Sequence, residues 1–120
     1  MELVVQVGKV ELYADPMFEK VFYTLLENAL RHGETVTTIE FSCSVVPDGL
    51  VVTYQDDGAG VPGEYKEAIF QRKYFRHTGF GLFLSRTILG ITGMTIRETG
   101  TYGKGARFEI LVPVGAYRFP

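Results

Sequence analysis

From Phe18 to Leu30 the chain spaces Phe18, Val21, Phe22, Leu25, Leu26, Ala29 and Leu30 three or four residues apart, which gathers them on one helix face. Asp15 offers a side-chain acceptor at the N-cap, Pro16 suits the first turn, and Gly33 is a natural stop. The period then shortens to two. Ile39, Phe41, Cys43 and Val45 alternate with Glu40, Ser42 and Ser44, the mark of a half-buried strand. Pro47-Asp48-Gly49 makes a turn, and residues 50–56 return as a second, antiparallel strand. Helical spacing resumes through Phe80, Phe83, Leu84, Thr87, Ile88 and Ile91. Residues 95–113 read as two strands around Gly103-Lys104-Gly105, with Phe108, Ile110 and Val112 alternating. At the start, "LVVQVGKVELY" predicts two short strands forming a hairpin at Gly8-Lys9. Residues 57–79 are rich in glycine and charge, with one helical turn expected around Glu64 to Phe70. The order is two strands, helix, two strands, loop, helix, two strands. It predicts an α/β (α+β) two-layer sandwich: a mixed, mostly antiparallel sheet covered on one face by about three helices.

Composition adds bounds. The 120 residues suit one domain, taken as 1–120, and 46% hydrophobic with 22% charged residues is ordinary for a soluble globular chain. A formal net charge of -2 gives no nucleic-acid footprint. The single cysteine, Cys43, excludes an internal disulfide and a cysteine-based zinc site. No apolar run reaches the roughly 20 residues of a membrane span, and no signal-peptide pattern opens the chain. The expectation is a cytoplasmic domain without membrane insertion, and a module of a larger protein would read the same way.

Three stretches carry candidate chemistry. Residues 58–63 spell G-x-G-x-x-G. The dinucleotide reading fails, however, because Pro62-Gly63 delay any helix and no acid follows at the required distance. Asp56 shares a strand face with Leu50, Val52 and Tyr54, so its carboxylate points toward an apolar layer and needs a donor. A plain β-turn accounts for Asp56-Asp57-Gly58 as well. The exocyclic amino group of adenine is one suitable donor, with Gly58 and Gly60 leaving room for a flat ring. On the first helix, Thr24, Asn28, Arg31 and His32 form a polar stripe beside the apolar face. Asn28 there is either structurally bonded or a carbonyl ligand for a hard cation such as Mg2+. Gly79-Phe80-Gly81-Leu82 opens the second helix, where free N–H groups suit a phosphate, preceded by Arg72, Lys73, Arg76 and His77.

In this order the segments resemble the ATP-binding catalytic domain of sensor histidine kinases, a Bergerat-type fold shared with type II topoisomerases, MutL-type proteins and heat-shock chaperones. "FEKVFYTLLENALRHG" is similar to the N box, "DDGAGVP" to the first glycine box, and "IFQRKYF" to the F box. "TGFGLFLSRTIL" resembles the second glycine box and "GKGARFEILVP" the last. The resemblance implies ATP and Mg2+ as cofactors. Asn28 would hold the metal and Asp56 would read adenine. Gly58, Gly60, Val61, Phe70 and Leu82 would border the ring. Arg31, His32, Lys73, Arg76, His77, Thr78, Gly79 and Gly81 would surround the phosphates, with Gly105 and Ala106 in the last box. Glu27, beside Asn28, is the acid nominated to assist chemistry.

The implied reaction moves the γ-phosphate of ATP to a histidine on a separate dimerisation domain, with a response regulator downstream. His32 and His77 fall inside the motifs and are not acceptors, so acceptor helices are expected upstream, in a longer kinase. The sequence departs from the family at Thr24, where a second asparagine is common, at Phe80 for leucine, and at Ala106 for threonine. The stretch from Pro62 to Thr78 is also short for a mobile ATP lid. Alternatives are a non-catalytic, nucleotide-regulated interaction module, a serine kinase, or an ATPase. The ATPase reading lacks the water-activating glutamate at position 24.

Overall fold

Asp15 starts the first helical region as its sequence predicts: its carboxylate oxygen accepts the Met17 N–H at 2.8 Å. A 3-10 turn over Pro16–Phe18 leads into α1, Glu19–His32. These elements come from a computed structural model, which describes residues 2–6, 8–32, 35–71 and 81–120. The strands are β1 (Glu2–Gln6), β2 (Glu11–Leu12), β3 (Thr38–Val46), β4 (Gly49–Asp56), β5 (Thr95–Glu98), β6 (Arg107–Pro113) and β7 (Tyr117–Arg118). Helix α2 covers Gly81–Ile91, and two further 3-10 turns, Gly63–Tyr65 and Ala68–Phe70, take the place of the single turn expected there.

The main sheet runs β1-β3-β4-β6-β5. Only its β1–β3 pairing is parallel; the others are antiparallel. The two-layer α/β arrangement expected from the pattern is therefore what the chain forms. Ile39, Phe41, Leu50, Val52, Tyr54, Ile96, Phe108, Ile110 and Val112 point from the sheet into the core. Val21, Leu25 and Ala29 of α1 and Leu82, Ile88 and Leu89 of α2 meet them. The side chains of opposite parity, among them Glu40, Ser42, Thr53, Gln55, Arg97 and Glu109, are half-buried or exposed.

Two expectations are corrected. The N-terminal hairpin does not form: β1 joins the main sheet beside β3, while β2 pairs with β7 in a separate two-stranded sheet. Gly8 does turn the chain, at φ 63°, but each short strand finds its hydrogen bonds in a distant partner. The helix stripes also differ from those drawn. Helix α2 buries Leu82, Ser85, Ile88 and Leu89. Of its expected stripe only Ile88 is buried, while Leu84, Thr87 and Ile91 are exposed and Phe80 lies outside the described residues. In α1, Leu30 is 71% exposed. Leu30 stands five residues beyond Leu25, about 140° round the helix, which carries it off the buried face.

Candidate functional site

Strand alternation alone delivers Asp56 to the inner face of β4, behind Tyr54, where it is 8% exposed. Three donors converge on its carboxylate. Oδ1 accepts the backbone N–H groups of Gly58 and Ala106, each at 3.0 Å. Oδ2 accepts the Tyr54 hydroxyl at 2.6 Å. The Asp56 N–H in turn donates to the Ala106 carbonyl at 2.9 Å. The acid that parity singled out is thus buried, bonded and fixed, as a carboxylate in an apolar layer must be. Burial first, and then the bond to Asp56, push the Tyr54 hydroxyl far above its ordinary pKa, so it remains a donor.

Asp57 points the other way. Its Oδ1 accepts the N–H groups of Thr37 at 2.8 Å and Thr38 at 3.1 Å, and its Oδ2 accepts the Thr37 hydroxyl. The Thr37 hydroxyl above all, then the Thr37 and Thr38 amides, lower its pKa from 3.8 to about 2. This aspartate ties the end of β4 to the start of β3.

Gly58, Gly60 and Gly105 are demanded by the chain itself. A Cβ on Gly58 would stand 2.7 Å from Val36 Cγ2, and one on Gly60 2.7 Å from the Gly105 carbonyl oxygen. At Gly105, with φ 135°, a Cβ would lie 1.9 Å from the Asp56 carbonyl oxygen. The loop after β4 and the loop before β6 therefore lie backbone to backbone, and Gly103 N–H donates to the Ala59 carbonyl at 2.6 Å. Along the Cβ direction the space at Gly58 and Gly60 is filled by protein, a reason for glycine there that is independent of any ring.

Gly81 shows the same logic between helices. A Cβ there would meet Thr24 Cγ2 at 2.8 Å, so the first residue of α2 sits against the polar stripe of α1. That contact brings Thr24 to the N-terminal end of α2, with Asn28 one turn further along α1; both are half-buried. The amide of Asn28 offers the type of carbonyl oxygen that a hard cation accepts as a ligand. Glu27 is exposed on the same helix.

Val61 is half-buried against the core. Phe70 and Leu82, expected beside a ring, are core residues at 2% and 1% exposure with almost no surface to offer a ligand. Lys73, Arg76, His77, Thr78 and Gly79 lie outside the described residues, as do the side chains of Arg31 and His32.

Sequence reading missed the braces around this region. Arg86 of α2 donates to both carboxylate oxygens of Glu67, at 3.1 and 3.2 Å, and to the Ile96 carbonyl at 3.1 Å. Its guanidinium also lies 4.2 Å from the centre of the Phe70 ring, a favourable cation–π distance. Lys66 pairs with Glu98 and donates to the Gly100 carbonyl at 2.9 Å. Glu98 Oε2 also accepts the N–H groups of Gly100 at 3.1 Å and Arg107 at 2.9 Å. The ion pairs join residues 19 and 32 apart in sequence, and no local signal links them. Tyr54 was legible in principle, two residues from Asp56 on one strand face.

Comparison with known proteins agrees with this geometry. The family described as histidine kinase-, DNA gyrase B-, and HSP90-like ATPase matches residues 14–116. The sensor protein IrlS of Burkholderia pseudomallei is 33% identical over 98 residues, covering 73% of this chain and 21% of that protein. The alginate biosynthesis sensor protein KinB of Pseudomonas aeruginosa is 34% identical over 102 residues, covering 80% and 17%. The chain thus spans about a fifth of the length of the curated relatives it matches. Among solved structures, the mycobacterial sensor histidine kinase MprB superposes with a TM-score of 0.79 at 20% identity, covering 93% of this chain and 80% of that one. The ATP-binding domain of PrrB from Mycobacterium tuberculosis gives 0.74 at 22%, covering 94% and 79%, and both show the fold. With its motifs in order, its buried acid at the end of β4 and this match across most of its length, the chain belongs to the histidine kinase-, DNA gyrase B- and HSP90-like ATPase family.

Proposed function

We propose that this domain binds ATP with Mg2+ and presents the γ-phosphate to a histidine on a separate dimerisation domain of a cytoplasmic two-component kinase. The observation that carries this is Asp56, a buried carboxylate held rigid by three donors. Such a group, costly to bury, suits recognition of a donor such as the adenine amino group. Asn28 would hold the metal, whose chemistry when bound is to neutralise phosphate charge. The N-terminal end of α2 suits the phosphates, and Arg31, His32, Lys73 and Arg76 would add positive charge. Transfer of this kind depends chiefly on positioning and charge neutralisation. Glu27 is assigned a supporting part next to Asn28. A response regulator is the expected recipient downstream.

The close contact of Thr24 with Gly81 bears on the alternatives. Thr24 is engaged in helix packing and lacks a carboxylate, so activation of water for hydrolysis has no base at that position.

Calorimetric titration of ADP, ATP and GTP, with and without Mg2+, tests the binding step on wild type and Asp56→Asn. Adenine-selective binding that collapses in the variant is expected. Wild type that takes no nucleotide sinks the assignment. The transfer step is tested by adding a histidine-bearing helical domain and assaying for phosphohistidine.

A further inference from the structure

A carboxylate offers about four lone-pair positions to donors. In Asp56 two are taken on Oδ1 by Gly58 and Ala106, and one on Oδ2 by Tyr54. Among the described residues no other group donates to it, which leaves one acceptor position, on Oδ2. Tyr54 has no freedom to release it. Its ring stands between Phe41, at 5.5 Å and 71°, and Phe108, at 5.8 Å and 59°. Tyr54 itself is 2% exposed. The ring packing therefore aims the hydroxyl, and the hydroxyl aims the carboxylate.

We propose that Tyr54 is a specificity-determining residue for the purine base, locking Asp56 as an acceptor with a single open position that takes a 6-amino group and refuses a 6-oxo group. This rests on the reading of Asp56 as the base-recognising acid. An amino N–H fills the remaining lone pair. A 6-oxo oxygen placed there sets acceptor against acceptor with no proton between them, and leaves a buried group unpaired. Without the Tyr54 hydroxyl, Oδ2 has two open positions and the carboxylate is held through Oδ1 alone. It can then turn about its Cβ–Cγ bond and admit a water that bridges to a 6-oxo group. Losing the hydroxyl thus relaxes the choice of base. A merely structural hydroxyl would weaken all nucleotides alike, because ribose and phosphates are held elsewhere.

The test is calorimetric titration of ADP, inosine diphosphate and inorganic tripolyphosphate, each with Mg2+, against wild type, Tyr54→Phe and Asp56→Asn. Thermal melts of each protein check folding. Wild type is expected to prefer ADP clearly, and Tyr54→Phe to reduce the ratio of ADP to inosine diphosphate affinity about tenfold, near the worth of one hydrogen bond to a charged group. Tripolyphosphate affinity stays the same. A folded Tyr54→Phe whose ratio matches wild type overturns the inference and leaves the adenine reading standing. Wild type that does not bind ADP overturns both. Should Tyr54→Phe not fold, wild type decides by NMR. The Tyr54 hydroxyl proton must then shift on addition of ADP and not of tripolyphosphate, and an unmoved signal with ADP overturns the proposal.

Discussion

Asp56 and Asp57 are the same amino acid side by side, yet strand alternation sends one carboxylate to Tyr54 in the core and the other to Thr37 near the surface. The consequence for Asp57 is measurable. Its folded pKa is depressed from 3.8 to about 2 by the Thr37 hydroxyl and the Thr37 and Thr38 amides. A depressed acid contributes stability that is complete above its unfolded value and disappears as pH falls through its folded value. Wild type is therefore expected to lose stability between roughly pH 4 and pH 2, and Asp57→Asn to lose less over that window. Urea midpoints measured from pH 5 to pH 2 check this, and parallel curves for the two proteins would refute it. At this scale parity made Asp56 legible, because a carboxylate among Leu50, Val52 and Tyr54 had to be satisfied. The donors were not legible. Ala106 lies fifty residues on and reaches Asp56 only once β6 has paired with β4.

Between elements, α1 and α2 meet where Thr24 Cγ2 would touch any side chain at position 81. Gly81→Ala is expected to cost roughly 1–3 kcal/mol by overpacking. Thr24→Ser deletes the offending methyl, so Gly81→Ala should cost less in that background. Denaturant unfolding of the four proteins of the cycle gives the coupling, about 1 kcal/mol for residues in direct contact. Additive losses would mean that Gly81 is required for something other than this approach. The helices and the β3–β4 hairpin were legible from period and turn residues, since both are local signals. The N-terminal hairpin was misread for the complementary reason: the turn at Gly8 is local, but β1 and β2 take their hydrogen bonds from β3 and β7. Likewise Gly58, Gly60, Gly81 and Gly105 are glycines for a reason no local pattern contains, the approach of another part of the chain.

Across the whole molecule, the segment leaving the first glycine loop is fastened by two neighbouring residues that differ in what they hold. Lys66 pairs with Glu98, whose side chain is fully buried, whereas Glu67 pairs with Arg86 while remaining 74% exposed. Arg86 holds the Glu67 carboxyl below its ordinary pKa through their hydrogen bond, but an exposed pair of this kind contributes only about 0–1 kcal/mol. Glu67→Ala should therefore leave the melting temperature nearly unchanged. Lys66→Met leaves the Glu98 carboxylate buried with, among the described residues, the N–H groups of Gly100 and Arg107 as its donors. Stranding a buried charge typically costs 3–5 kcal/mol. Because Lys66 is itself 29% exposed, water can replace part of what is lost, and a cost of about 2–4 kcal/mol is expected. In a domain of this size that lowers the melting temperature by on the order of 10 °C. If the buried charge is the cause, adding Glu98→Gln to Lys66→Met should recover much of the loss, since a neutral amide oxygen still accepts both N–H groups. A double variant no more stable than Lys66→Met would place the cost in the lost packing of the lysine stem instead.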